Sequence, residues 1–177
     1  MTSLKTPICR RLGIEVPIFG FSHSVAVTAA LTNAGGFGVF GAAREAPHEV
    51  AESLAQVRKL VGDKPFGVDI MLPKGMPSKS LDELQADLPN DHVAFVDNLK
   101  RKYEVPPAEN QGFFNSQVRS PEFFQGQLDA VLESDVNMLA FGVGFTPDAV
   151  KRANAKNMIT AALIGHPKHV QAAVDAG

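Results

Sequence analysis

The stretch Pro17–Gly41 constrains the fold more than any other part of the chain. An uncharged apolar run, Val16–Phe21, is followed by Ser22-His23-Ser24. A helix-compatible segment, about Val25–Asn33, leads through Ala34-Gly35-Gly36 into a second apolar run, Phe37–Gly41. Short apolar runs without charges are what parallel strands covered on both faces require, and parallel neighbours need a crossover, here a helix. The stretch therefore reads as strand, loop, helix, glycine turn and strand. Ser24 or a neighbour can cap the helix. Ala26, Ala29, Ala30 and Ala34 make it thin enough to pack close to a sheet. The glycines follow a helix and open a strand, whereas a dinucleotide fingerprint follows a strand and opens a helix. Gly35, Gly36 and Gly38 are thus assigned to a helix stop and close packing, not to phosphate binding.

The same rhythm recurs along the chain. Residues 4–13 form a short helical lead-in ending at Gly13. Pro47 suits a first helical position, and Val50, Leu54, Val57 and Val61 recur at i, i+4, i+7 and i+11 as one apolar stripe. Pro65–Pro73 is a third strand framed by prolines. From Pro73 to about Phe124 the alternation breaks. Prolines and charges are interspersed there, and one helix is expected, His92–Lys102, with Val96, Leu99 and Tyr103 on one face. So long a segment without structure of its own is unusual, and it reads as an insertion or lid, about 73–124. Order returns with a helix at Gln125–Glu133, a fourth strand at Asn137–Val143, a helix started by Thr146-Pro147-Asp148 and running to about Ala155, a fifth strand at Asn157–Ile164, and a last helix opened by Pro167. Five β/α units follow. They fit either an open doubly wound sheet or an incomplete (β/α)8 barrel, and the order of elements alone does not separate these.

Composition narrows the function classes. The formal net charge of -2 gives no overall pull toward nucleic acid or an anionic membrane. No apolar run reaches the ~18 residues of a membrane span, and the N-terminus lacks a signal-peptide pattern. One cysteine, Cys9, excludes an intramolecular disulfide and is expected to be a half-buried apolar residue. A cytoplasmic protein with no nucleic-acid or membrane partner is expected.

Several residues can carry chemistry. Phe21, Ser22 and His23 lie just past the C-terminal end of the first strand, the functional face of a barrel. His23 is a candidate acid/base; the alternative is that Ser22 and Ser24 cap the next helix and His23 is half-exposed. Asp69 interrupts an apolar strand and needs donors if buried. A bound ligand, a local salt bridge or a solvent-facing position would each satisfy it. Phe141, Gly142 and Gly144, with Ala161–Ile164, end strands four and five and should face the same mouth. His166 and His169 flank Pro167 at a helix start and read as surface residues. No spacing suggests a metal site or a Ser-His-Asp arrangement.

Three segments, in order and rough spacing, carry a family resemblance: Leu12-Gly13-Ile14-Glu15-Val16-Pro17-Ile18, Asn33–Ala42 and Lys64–Pro73, with Thr160–Gly165 adding to them. The chain resembles the nitronate monooxygenases, FMN-dependent (β/α)8 barrels related to flavin-dependent enoyl-acyl-carrier-protein reductases. It departs from them in having Gly20-Phe21-Ser22-His23 where commoner members carry a longer loop with a Gln-Ala-Pro-Met-like sequence, and Asp69 where they often carry Asn. The resemblance implies a partial FMN-dependent TIM-barrel domain over 1–177. Gly20, Phe21, Ser22, Asp69 and Ala161 are the implied cofactor contacts, Asp69 accepting from the flavin N3–H or ribityl hydroxyls. The family's catalytic histidine is implied to lie beyond Gly177, leaving His23 as the candidate within the chain. The expected activity is oxidation of a small nitronate-like or acidic carbon substrate with oxygen. The alternatives are an enoyl-thioester reductase using NAD(P)H, or a non-catalytic barrel fragment that self-associates or pairs its open edges with a partner segment.

Overall fold

The uncharged runs become parallel strands. In the computed structural model, which describes residues 4–76, 78–107 and 118–177, β1 (Phe19–Ser22), β2 (Phe37–Gly41), β3 (Gly67–Met71), β4 (Met138–Val143) and β5 (Ile159–Ala162) form one sheet in the order β1-β2-β3-β4-β5. All neighbours are parallel. A doubly wound sheet reverses its strand order at a switch point. This one does not, and sequential winding is the topology of a (β/α)8 wall. The helices are α1 (Pro7–Leu12), α2 (Val25–Asn33), α3 (Pro47–Val61), α4 (Leu81–Ala86), α5 (Asn90–Lys102), α6 (Pro121–Leu132), α7 (Pro147–Ala155) and α8 (Val170–Ala176), the last preceded by a 3-10 turn at Pro167–His169.

The chain divides into two compact units, one comprising the residues up to 75 and from 122 onward, the other residues 76–121. In the first, the α3 stripe Val50, Leu54, Val57 and Val61 is buried, as are Phe40, Val68, Ile70, Leu139 and Phe141 in the same core cluster. Burying each such side chain is worth about 1.5–3 kcal/mol as an upper estimate. A second cluster joins Cys9, Leu12 and Ile14 to Phe37, Val39, Met138 and Ala140 on the opposite face of the sheet. Cys9 is 1% exposed rather than half-buried, because it lies on the buried face of α1 in this cluster.

Helix α2 lies against β2 as expected, but only Ala29 of the four alanines is buried there. Ala26, Ala30 and Ala34 face outward, and the contact is made by buried Thr28 and Thr32 with Ala29. The close approach is permitted by Gly38, where a Cβ would sit 2.4 Å from the Thr28 carbonyl oxygen, and Thr32 Oγ1 accepts the Gly38 N–H at 3.2 Å. Gly35 turns the chain after α2 at φ +90°, a conformation that favours glycine.

β1 is not covered on both faces. Phe19 and Phe21 are 48% and 57% exposed on the cavity face, and among the described residues β2 is the one neighbour of β1. The second unit holds α4, whose capping box pairs the Ser80 backbone and side chain with Glu83, and α5. Neither helix buries a residue, so the apolar face of Val96, Leu99 and Tyr103 is left open.

Candidate functional site

Side chains alternate across a strand. Along β3, Val68 and Ile70 point to the helix-packed core, so Gly67 and Asp69 point to the other, concave face. Register places Gly41 beside Asp69, Asp69 beside Ala140, and Ala140 beside Ala161. A cavity of about 390 Å³ opens on this face. Phe19, Phe21 and Val39 wall one side of it, Met138, Ala140, Ala161 and Leu163 the other, and Asp69 is its one ionisable group.

Asp69 is 8% exposed. Among the described residues Oδ1 meets no hydrogen-bond donor and the carboxylate joins no ion pair, which removes the salt-bridge and solvent-facing alternatives. Burial pushes its pKa up from 3.8 to about 6, with the charge of His23 opposing the rise. Room for the carboxylate comes from the next strand but not from any side chain there: a Cβ on Gly142 would lie 2.8 Å from Asp69 Oδ2 and 3.0 Å from Oδ1. On the other flank a Cβ on Gly41 would lie 2.5 Å from Phe21 Cζ and 2.7 Å from His23 Nδ1. The carboxylate thus stands between two positions where only hydrogen fits.

His23 stands beside Phe21, a residue of the cavity wall. Its Nδ1 is 2.6 Å from the Gly41 carbonyl oxygen. A carbonyl only accepts, so Nδ1–H donates, and in the neutral form of the ring the lone pair is on Nε2. The Phe21 ring meets the imidazole edge-on at 5.0 Å. Behind the mouth, fully buried Gln127 of α6 donates through Nε2 to the carbonyls of Ala42 (2.9 Å) and Glu45 (2.6 Å), fixing the loop between β2 and α3. Burial raises the Glu45 carboxyl above its ordinary range, the hydrogen bond from Ser53 opposes this, and the Glu49 charge adds to it.

The structure brings Phe21, Asp69 and Ala161 to one cavity, with His23 packed against Phe21 but outside the lining. Gly20 and Ser22 fall on the opposite face of β1. A Cβ on Gly20 would meet Leu31 of α2 at 2.7 Å, and Ser22 Oγ accepts the Ser24 N–H at 3.0 Å. Ser24 Oγ in turn caps α2 at Val27. Phe141 turns into the helix-side core. His166 and His169 are exposed, and His166 Nδ1 accepts the Lys168 N–H. The roles of Gly41 and Gln127 depend on cross-strand and helix–loop register, to which the sequence gives one hint, a glutamine among the apolar residues Phe124, Leu128 and Val131. Among the described residues no group of His, Cys, Asp and Glu could hold a metal ion, and no helix is long and apolar enough to cross a membrane.

The family model for nitronate monooxygenases matches residues 7–177. The chain belongs to this family. A Mycobacterium tuberculosis protein provisionally named a monooxygenase is 34% identical over 183 residues, a match that covers 98% of this chain and 49% of that protein. The chain therefore spans about half the length of the curated relative it matches. Among solved structures, FabK from Thermotoga maritima superposes with a TM-score of 0.65 at 19% identity, over 98% of this chain and 42% of its own. A nitroalkane oxidase from Streptomyces ansochromogenes does so with 0.65 at 21% identity, over 92% and 42%. At these identities the likeness speaks for the fold: this member of the nitronate monooxygenase family carries five β/α units of a (β/α)8-type barrel.

The site residues suit a flat, polar-edged ring. The lining is apolar, Gly41 and Gly142 leave the approach to the sheet clear, and one buried carboxylate oxygen waits for an N–H or O–H donor.

Proposed function

We propose that this chain builds one wall of the FMN site of an oxidoreductase of nitronate monooxygenase type, acting on a small nitronate-like or acidic carbon substrate with oxygen. The observation that carries the reading is Asp69, a buried carboxylate with an unpartnered oxygen facing an apolar cavity. Unpaired buried carboxylates are costly, and the flavin N3–H or ribityl hydroxyls are donors of the right kind. When bound, FMN supplies the electron acceptor and the route to oxygen.

The chain's own residues do the holding. Asp69 accepts from the cofactor, Phe21 and Ala161 shield its ring from water, and the glycines let the ring lie close. His23, fixed through Nδ1 to Gly41 and beside Phe21, can take or return a proton at Nε2.

FMN titration followed by visible flavin absorbance tests the reading. The chain is expected to bind FMN, and Asp69→Ala to weaken it by about tenfold, the loss of one charge-assisted hydrogen bond. Unchanged affinity in Asp69→Ala would remove Asp69 from the site, and a chain that takes up no FMN would remove the reading. Flavin reduction by a nitronate supports the monooxygenase assignment, whereas reduction by NAD(P)H alone would replace it with a reductase.

A further inference from the structure

A second cavity, of about 400 Å³, opens at the C-terminal ends of β4 and β5, just past β3. It shares Leu163 with the Asp69 cavity, so the two are neighbours on one face of the first unit. Its polar character is the reverse of its neighbour's. Lys74 and His169 line it, together with the loops Gly144-Phe145 and Ile164-Gly165, and no Asp or Glu does. Among the described residues no protein acceptor receives the backbone N–H groups of Gly144, Phe145, Ile164 or Gly165. Lys74 joins no ion pair with a described carboxylate, the described pairs all lying elsewhere. Gly144 holds its turn at φ +69°, with a Cβ there excluded by the Leu72 carbonyl oxygen at 2.3 Å.

We propose that this cavity is an oxyanion site that takes the carboxylate or phosphate group of a ligand. Two basic side chains and four uncommitted N–H donors around one concave surface give an anion charge-assisted hydrogen bonds on several sides. The shared Leu163 lets a ligand anchored by its anion here place its uncharged part in the Asp69 cavity. The inference goes beyond the flavin reading and does not depend on it. The oxyanion is the acidic group of a substrate.

The test titrates the 177-residue chain with inorganic phosphate and follows backbone amide resonances by two-dimensional NMR. The amides of Gly144, Phe145, Ile164 and Gly165 are expected to shift along saturable curves while those of Gly13 and Gly62 stay in place. Lys74→Gln and His169→Asn, both at exposed positions, should each weaken phosphate by about tenfold, with Lys74→Arg retaining binding. Non-saturating shifts, shifts spread over the surface, or unchanged binding in Lys74→Gln would overturn the proposal. Repeating the titration with FMN and with riboflavin checks that source. Phosphate binding undisturbed by bound FMN is expected, and competition by FMN but not riboflavin would overturn the assignment to a substrate. A chain that binds no flavin still gives the phosphate result, so the two readings fail separately.

Discussion

An ionised Asp69 faces an apolar cavity with one oxygen unpartnered, so its charge opposes folding in the flavin-free chain. The folded pKa, about 6, lies above the unfolded 3.8. Below 3.8 the group is neutral in both states and exerts no pH-dependent effect. Between the two values the unfolded chain releases the proton first, and above 6 the destabilisation is complete. Asp69→Asn is therefore expected to be more stable than the parent by about 1–2 kcal/mol near neutral pH, allowing for solvent screening at the open mouth. Near pH 4 the difference should shrink toward zero. Urea unfolding at the two pH values measures it, and a gain that did not depend on pH would contradict the buried-charge account. Gly142 can be tested in the same way. Gly142→Ala must turn the Asp69 carboxylate aside, because the new Cβ would lie 2.8 Å from Oδ2. FMN affinity should fall about tenfold in the parent and not further in an Asp69→Ala background, the non-additivity expected of groups in contact.

Among the elements, what the sequence made legible was what local pattern governs. The limits of α2 and the second strand, Pro47 at the start of α3, and the Thr146 cap of α7, whose Oγ1 accepts from Ala149 N at 3.1 Å, all follow from nearest neighbours. The α3 stripe did too, and it predicts a contrast. Leu54, 1% exposed, should cost about 2–5 kcal/mol on substitution by Ala. Leu60 on the same helix, 54% exposed, should cost within about 0.5 kcal/mol, both read from denaturant midpoints. Helix α4 was missed although Ser80 and Glu83 form a capping box, because its six residues are too few to show a periodic stripe. Of the four alanines expected to let α2 pack close to the sheet only Ala29 does so, because which face of a thin helix turns inward depends on Gly38, one strand away. Gly38→Ala should accordingly destabilise by about 1–3 kcal/mol, since the atom in the way is backbone, the Thr28 carbonyl oxygen. Asp69 was legible as a charge out of place in an apolar strand. Gly142 was placed at the mouth by its position at the end of the fourth strand, but Gly41 was not, because strand pairing brings it beside Asp69.

Taken as a whole, the sheet of the first unit is open among the described residues, with β1 at one edge and β5 at the other. Edges present unpaired backbone donors and acceptors, and apolar groups stand out beside both. Phe19 and Phe21 are 48% and 57% exposed at one, and Leu163 is 68% exposed at the other. Charged side chains that would discourage edge pairing are absent from β1 (Phe-Gly-Phe-Ser) and β5 (Ile-Thr-Ala-Ala). The 177-residue chain is therefore expected to self-associate as its concentration rises, and sedimentation velocity over a hundredfold range should show the sedimentation coefficient climbing. Phe19→Lys places a charge on the β1 edge and should shift that rise to higher concentration. Added salt should not reverse the association, because burial of apolar surface is not screened as ion pairing is. A sedimentation coefficient constant over the whole range would show that the exposed rings do not recruit a partner, and would leave Phe19 and Phe21 exposed for the cavity they line.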